Sequence, residues 1–220
     1  MTKVKNFLEW FDGTYYDEEL YKKEQDQFQN IEDSTCGWAA CGLMNLLNHA
    51  LVLMDDHEQY LEIGTYGGRS LVGALKDNDK LAQVVDPFPF QPAIFDAWNE
   101  TIDKFEVRNR VTLHKEFCEK FDAELPSIGV LFYDGNHDSG HTYEGLKRFE
   151  KYLADRAIIV VDDYHIPGGG KQTPYPGHDM HEMPVKNDTD RWLRENRDTT
   201  KLIEVTPWTF KQAVIMYERN

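Results

Sequence analysis

The sequence predicts an α/β protein: a doubly wound, mostly parallel, seven-stranded sheet with an antiparallel C-terminal strand, preceded by an N-terminal helical cap. Three observations predict it. From residue 60 onward, short β-rich runs alternate with helical ones, the pattern of successive βαβ units. The runs at 129–133 and 157–161 are continuously apolar, as strands covered by helices on both faces must be. The final runs, 201–206 and 210–218, are joined only by Pro207, Trp208 and Thr209. So short a link forces antiparallel pairing, because parallel neighbours need a crossover of about a dozen residues or more.

Residues 1–55 read as helical throughout. A polar, charged stretch to about Asn30 is followed by Ala39, Leu43, Leu46, Leu47, Ala50, Leu51 and Met54 at helical spacing. The apolar stretch 38–54 contains Asn45, Asn48 and His49, which would be costly in lipid, so it reads as a buried helix. Strands are expected at 60–63, 81–85, 110–113, 128–133 and 157–161, with helices at 68–76, 92–105 and 142–154. The Pro-, Gly- and His-rich stretch 166–184 reads as a loop, long enough to be a lid or to stay disordered. A helix near 189–196 then leads into the terminal hairpin. At 220 residues and 40% hydrophobic composition the chain buries one full core rather than two. The expected division is a cap over 1–55 and one α/β domain over 56–220.

A net charge of −15 repels phosphate backbones and anionic lipid, which argues against nucleic-acid or membrane partners and for small or neutral ones. Met1 to Glu9 reads as polar helix rather than a signal peptide. Cys36, Cys41 and Cys118 match no disulfide or metal spacing and read as buried small hydrophobes in a reducing, cytoplasmic compartment. Trp10, Trp38, Trp98, Trp192 and Trp208 are read as packing residues.

Residues Glu62-Ile63-Gly64-Thr65-Tyr66-Gly67-Gly68-Arg69-Ser70 run from a strand end through a glycine-rich turn into a helix. Glycines there let the backbone approach a ligand, and the helix start offers unpaired N–H groups. Taken alone, the pattern equally fits a tight turn without a ligand. Its neighbours favour a ligand. Glu62 places a carboxylate at the end of a buried strand, where a charge needs a partner. Asp86 closes the next strand, where a carboxylate can accept from both hydroxyls of a ribose. The spacing also departs from the GxGxxG of pyrophosphate-binding dehydrogenases.

This stretch resembles the first motif of class I S-adenosylmethionine-dependent methyltransferases, whose fold is Rossmann-like. The resemblance implies S-adenosylmethionine as cofactor. Glu62, Gly64, Thr65, Tyr66, Gly67 and Ser70 would surround its methionine moiety, Asp86 would hold its ribose, and Asp134 would be a further contact.

A second constellation closes the next two strands: Asp134-Gly135-Asn136-His137 after one, Asp162-Asp163-Tyr164-His165 after the other. C-terminal ends of neighbouring parallel strands face one crevice, so Asp134, Asp162 and Asp163 are expected to gather there. Their mutual repulsion is relieved by a raised pKa, a basic partner or a bound cation. All-oxygen ligands favour Mg²⁺, with Mn²⁺ and Ca²⁺ as alternatives.

The segment 128–164 is similar to the metal-dependent small-molecule O-methyltransferases related to macrolide-sugar and catechol enzymes. That branch carries an Asp-Gly-x-His-x-Tyr-Glu-like motif after the fourth strand. Here the motif runs from Asp134 to Glu144 with extra residues, so either His137 or His141 can hold the position of the base. The resemblance implies a cation on Asp134, Asp162 and Asp163 that binds and acidifies an acceptor hydroxyl. His137, ahead of His141, would take the proton.

The expected partner is a small hydroxyl acceptor such as a sugar, a glycoside or a phenol, and the apolar 38–54 helix leaves room for a homodimer. The competing expectations are a metal-independent methyltransferase, an NAD-type oxidoreductase and a non-catalytic nucleoside-binding module. A zinc site on His178, His181 and Glu182, near His165, is disfavoured by its loop context and lack of cysteine.

Overall fold

Four helices precede the first strand of the computed structural model, which describes residues 3–15, 18–89, 92–165, 183–205 and 211–219. They are α1 (Lys3–Tyr15), α2 (Glu18–Asp26), α3 (Gln29–Ser34) and α4 (Cys41–Val52). Strands and helices then alternate: β1 (Gln59–Ile63), α5 (Arg69–Ala74), β2 (Ala82–Val85), α6 (Pro92–Lys104), β3 (Val111–His114), β4 (Ile128–Tyr133), α7 (His141–Phe149) and β5 (Leu153–His165). Helix α8 (Pro184–Glu195), β6 (Thr200–Val205) and β7 (Lys211–Glu218) follow.

The seven strands form one sheet in the order β3-β2-β1-β4-β5-β7-β6. The first five pair in parallel. Strand β7 is antiparallel to both β5 and β6, so the expected hairpin is present and its last strand lies inside the sheet rather than at its edge.

Alternation along the strands gives the sheet two apolar faces. Tyr60, Val84, Val130, Phe132, Ile158, Val160 and Val214 share a core with α4, α5, α6 and with Phe7, Phe11 and Ile31 of the N-terminal helices. Leu61, Ile63, Val85, Leu131, Ile159, Val161 and Ile215 pack on the other side against α7 and α8. No helix among the described residues is long and apolar enough to cross a membrane.

Three boundaries differ from expectation. The helix expected over 142–154 ends at Phe149, and Leu153 instead pairs with Ile128 at the start of β5. Short apolar runs carry no period that separates the end of a helix from the start of a strand. Helix α8 begins at Pro184 rather than 189, with proline at the first helical position that suits its missing N–H. The stretch 35–40 is not helical, and Trp38, expected to pack, is 85% exposed. Cys36 is also exposed, while Cys41 is buried. Burial pushes the Cys41 and Cys118 thiols up to about 12, so neither is a ready nucleophile.

Candidate active site at the C-terminal ends of the strands

The turn after β1 is built by contacts within the protein. Gly64 has φ +80°, and a Cβ added there would lie 2.0 Å from the Asp134 carbonyl oxygen. Its glycine therefore serves the close approach of the β1 and β4 ends, where the Asp134 N–H donates to the Ile63 carbonyl at 2.8 Å. Gly67 is pressed in the same way against the Cys36 carbonyl, 2.3 Å from where its Cβ would be. Arg69 holds that segment by donating to the Thr35 carbonyl and hydroxyl.

Asp86, at the end of β2, organises the turn. Its Oδ2 accepts from the N–H groups of Thr65 at 2.8 Å and Tyr66 at 3.0 Å, and its Oδ1 from Phe88 at 2.6 Å. Below it, Glu62 is fully buried and accepts from the Tyr60 hydroxyl at 2.6 Å and the Ser70 hydroxyl at 2.8 Å. Burial drives the Glu62 carboxyl up to about 7; the hydroxyl donors only partly offset this, and Asp134 adds repulsion.

Across the crevice, Asp134, His137 and Asp163 form one cluster whose ligand atoms lie within 4.8 Å of each other. His137 Nε2 is 3.2 Å from Asp134 Oδ1 and 3.5 Å from Asp163 Oδ2. Burial raises the Asp134 carboxyl to about 6; His137 pulls it down, and Asp163 and Asp86 push it up. For His137 burial opposes the charged form, but the hydrogen bond to Asp134 and the charges of Asp134, Asp163 and Asp162 prevail and raise it. Burial, with repulsion from Asp134 and Asp163, lifts Asp162 well above the usual carboxylate range. The cluster is thus a group of acids that resist ionising together, with an imidazole set among them that favours its charged form.

Residues 61–164 match the family described as "Methyltransferase domain". That stretch, just under half of the chain, is similar to a methyltransferase domain. The whole chain has the corresponding fold. It superposes on the O-methyltransferase TomG from Streptomyces achromogenes, solved with SAM, at TM-score 0.59 and 16% identity, covering 98% of this chain and 96% of that one. The O-methyltransferase from Bacillus cereus, solved with SAH, gives TM-score 0.58 at 13% identity, with 99% and 98% covered. The SAH-bound Podospora anserina methyltransferase PaMTH1 gives 0.55 at 16% identity, with 93% and 97% covered. No curated protein matches the sequence.

The turn could hold S-adenosylmethionine, the ligand named in the first of these structures. S-adenosylmethionine carries a sulfonium and an ammonium, and the buried Glu62 beneath the turn has hydroxyl donors as its hydrogen-bond partners, so a nearby cationic group complements it. The donor set of the cluster likewise fits a divalent ion, with two carboxylates and an imidazole at ligand-to-ligand distances.

Two sequence expectations need revision here. Asp162 does lie near Asp134 and Asp163, whose charges raise it, but its Oδ1 accepts from the Gln212 side chain on β7 and from the Asp163 N–H at 2.9 Å, and it is His137 that joins the other two at ligand distances. His141, the alternative base, pairs through Nδ1 with Glu119 at 2.6 Å. His178, His181 and Glu182, like most of the loop 166–184, lie outside the described residues.

Three site neighbours went unread in the sequence. Gln212 holds Asp162, and Asp188 of α8 accepts from the Gly140 N–H at 2.7 Å, bracing the loop that carries His137. Trp38 stacks on Tyr66 of the cofactor turn, with ring centroids 5.2 Å apart and planes 18° from parallel. For Trp38 the available signal was its place just before the first helical repeat, between Gly37 and Ala39.

The Glu62 environment leads to a stability prediction. A carboxyl raised from 4.5 to about 7 in the folded state burdens the fold progressively as pH rises through that window, and fully above it. Glu62→Gln removes that burden. Between pH 5 and pH 8 the ligand-free variant should gain about 3 kcal/mol of unfolding free energy relative to the parent. Parallel denaturant curves at the two pH values check this; a constant difference contradicts it.

Proposed function

We propose that the protein methylates a hydroxyl oxygen of a small aromatic or polyhydroxylated molecule, using S-adenosylmethionine and a divalent cation, in the cytoplasm. The observation that carries this reading is the convergence of Asp134 and Asp163, from adjacent strand ends, on one point beside the cofactor turn. The structural relatives solved as O-methyltransferases support the same acceptor atom.

With both groups bound, the acceptor hydroxyl would be made acidic by the cation, its proton would pass to water, and its oxygen would displace the sulfonium methyl in line, with S-adenosylhomocysteine as leaving group. Asp134 and Asp163 would hold the cation, and through it the acceptor oxygen. Glu62 and the turn at Gly64 would place the methionine end of the cofactor, and Asp86 keeps that turn in shape. Trp38, exposed and stacked on Tyr66, offers an open aromatic face to a planar acceptor.

Incubation with S-adenosylmethionine, Mg²⁺ or Mn²⁺ and a panel of catechols and glycosides, followed by mass detection of a gain of one methyl, tests the reading. Thermal shift with S-adenosylhomocysteine against NAD is the companion measurement, since only a true ligand stabilises by mass action. Stabilisation by NAD alone would overturn the proposal. Trp38→Ala should raise the acceptor KM about tenfold while leaving S-adenosylhomocysteine affinity unchanged. An unchanged KM removes Trp38 from the acceptor site.

The His137 distances favour a second reading, in which a charged imidazolium bridges the two acids and no cation is needed. Full activity in chelator would select it.

A further inference from the structure

We infer that His137 is a metal ligand rather than the catalytic base, and that with Asp134 and Asp163 it makes a nitrogen-containing site preferring Mn²⁺ or a similar transition-series ion over Mg²⁺. The inference rests on the cation reading above and goes beyond it by naming the donor set and the class of ion.

Position is the first argument. Nε2 of His137 lies 3.2 Å from Asp134 Oδ1 and 3.5 Å from Asp163 Oδ2, so it faces the point on which both carboxylates converge. Two ligand atoms each about 2.1 Å from one ion, and at cis or tetrahedral angles, stand roughly 3.0 to 3.5 Å apart. Both contacts of His137 therefore meet the spacing of ligands on one ion, and all three groups lie within 4.8 Å of one another. A base would need its nitrogen lone pair for the acceptor proton, and a single Nε2 lone pair cannot serve the ion as well.

The second argument is what happens to the third acid. An all-oxygen set would use Asp162, but its Oδ1 is held by the Gln212 amide and by the Asp163 N–H. His137, not Asp162, stands at ligand distances from Asp134 and Asp163. The loop presenting it is braced by the protein: the Asp138 N–H donates to Asn136 Oδ1 at 2.9 Å, and the Gly140 N–H to Asp188 on α8.

Chemistry gives the preference. Mg²⁺ keeps oxygen ligands and water, whereas transition-series ions accept a nitrogen donor with affinity that rises from Mn²⁺ onward, so Mn²⁺ is the weakest member of the preferred class. The decisive readout is direct and independent of turnover. Metal-free protein is loaded with Mn²⁺, and electron spin-echo modulation is recorded for the parent and for His137→Gln, with Mn²⁺ and Mg²⁺ affinities from calorimetry. Binding of S-adenosylhomocysteine and an unchanged melting temperature verify that the variant is folded.

The expected result is a ¹⁴N modulation from bound imidazole that vanishes in the variant. Mn²⁺ affinity should fall about tenfold or more and Mg²⁺ affinity much less. Tight Mn²⁺ binding with no nitrogen modulation, or with modulation that survives in His137→Gln, overturns the inference and leaves the cation reading standing. If neither ion binds, both the inference and the cation reading fail, while methyl transfer itself is untouched.

Discussion

Asp134→Asn is expected to lower methyl transfer by about 10³-fold while S-adenosylhomocysteine still binds within about tenfold of the parent affinity. The substitution preserves the side-chain volume and both backbone contacts that matter locally: the N–H to Ile63 and the carbonyl beside Gly64. It removes one of the two carboxylates of the cluster, which is also one of the two acids paired with His137. Chelation of the parent should reproduce the loss, and added Mn²⁺ should reverse it. Single-turnover assays with labelled cofactor measure the first effect, and calorimetry the second. A variant that keeps a tenth or more of the parent activity, in a protein also indifferent to chelator, would remove the cation from the chemistry.

The second large effect is expected from Gly64→Ala. At φ +80° a side chain costs about 1–2 kcal/mol in backbone strain alone. The new methyl would also fall 2.0 Å from a backbone carbonyl, which cannot rotate aside as a flexible side chain would. Relief requires the β1 and β4 ends to part, breaking the hydrogen bond between the Asp134 N–H and the Ile63 carbonyl. A total loss of about 3 kcal/mol or more is expected by urea denaturation, with cofactor binding lost in whatever folded protein remains. Gly67→Ala has no left-handed φ to strain and meets a carbonyl on the segment 35–40, which lies outside the sheet, so its cost should be smaller. Equal costs for the two variants would contradict this account of the turn.

What was legible in the sequence follows from how local each signal is. The strands at 128–133 and 157–161 announce themselves because burial on both faces requires unbroken apolar runs, and acids placed directly after them must share a crevice. The glycine turn was also legible, though its reason was not. Gly64 and Gly67 serve contacts with Asp134 and Cys36, segments that are neighbours only after folding. Likewise, nothing near Asp162 reveals that Gln212, fifty positions later on β7, donates to its Oδ1. The choice between His137 and His141 depended on Glu119 in the preceding connection and on a brace from Asp188. Side-chain direction at a strand end is decided by such distant partners, which a periodic pattern does not encode.

The placement of β7 between β5 and β6 has a consequence for biosynthesis. Until residues 211–218 leave the ribosome, β5 presents a bare hydrogen-bonding edge, and Asp162 lacks the amide that steadies it. A nascent chain can therefore acquire its cofactor turn well before its acidic crevice is in order. Cellular quality control would meet a half-assembled enzyme for as long as that final strand stays in the exit tunnel.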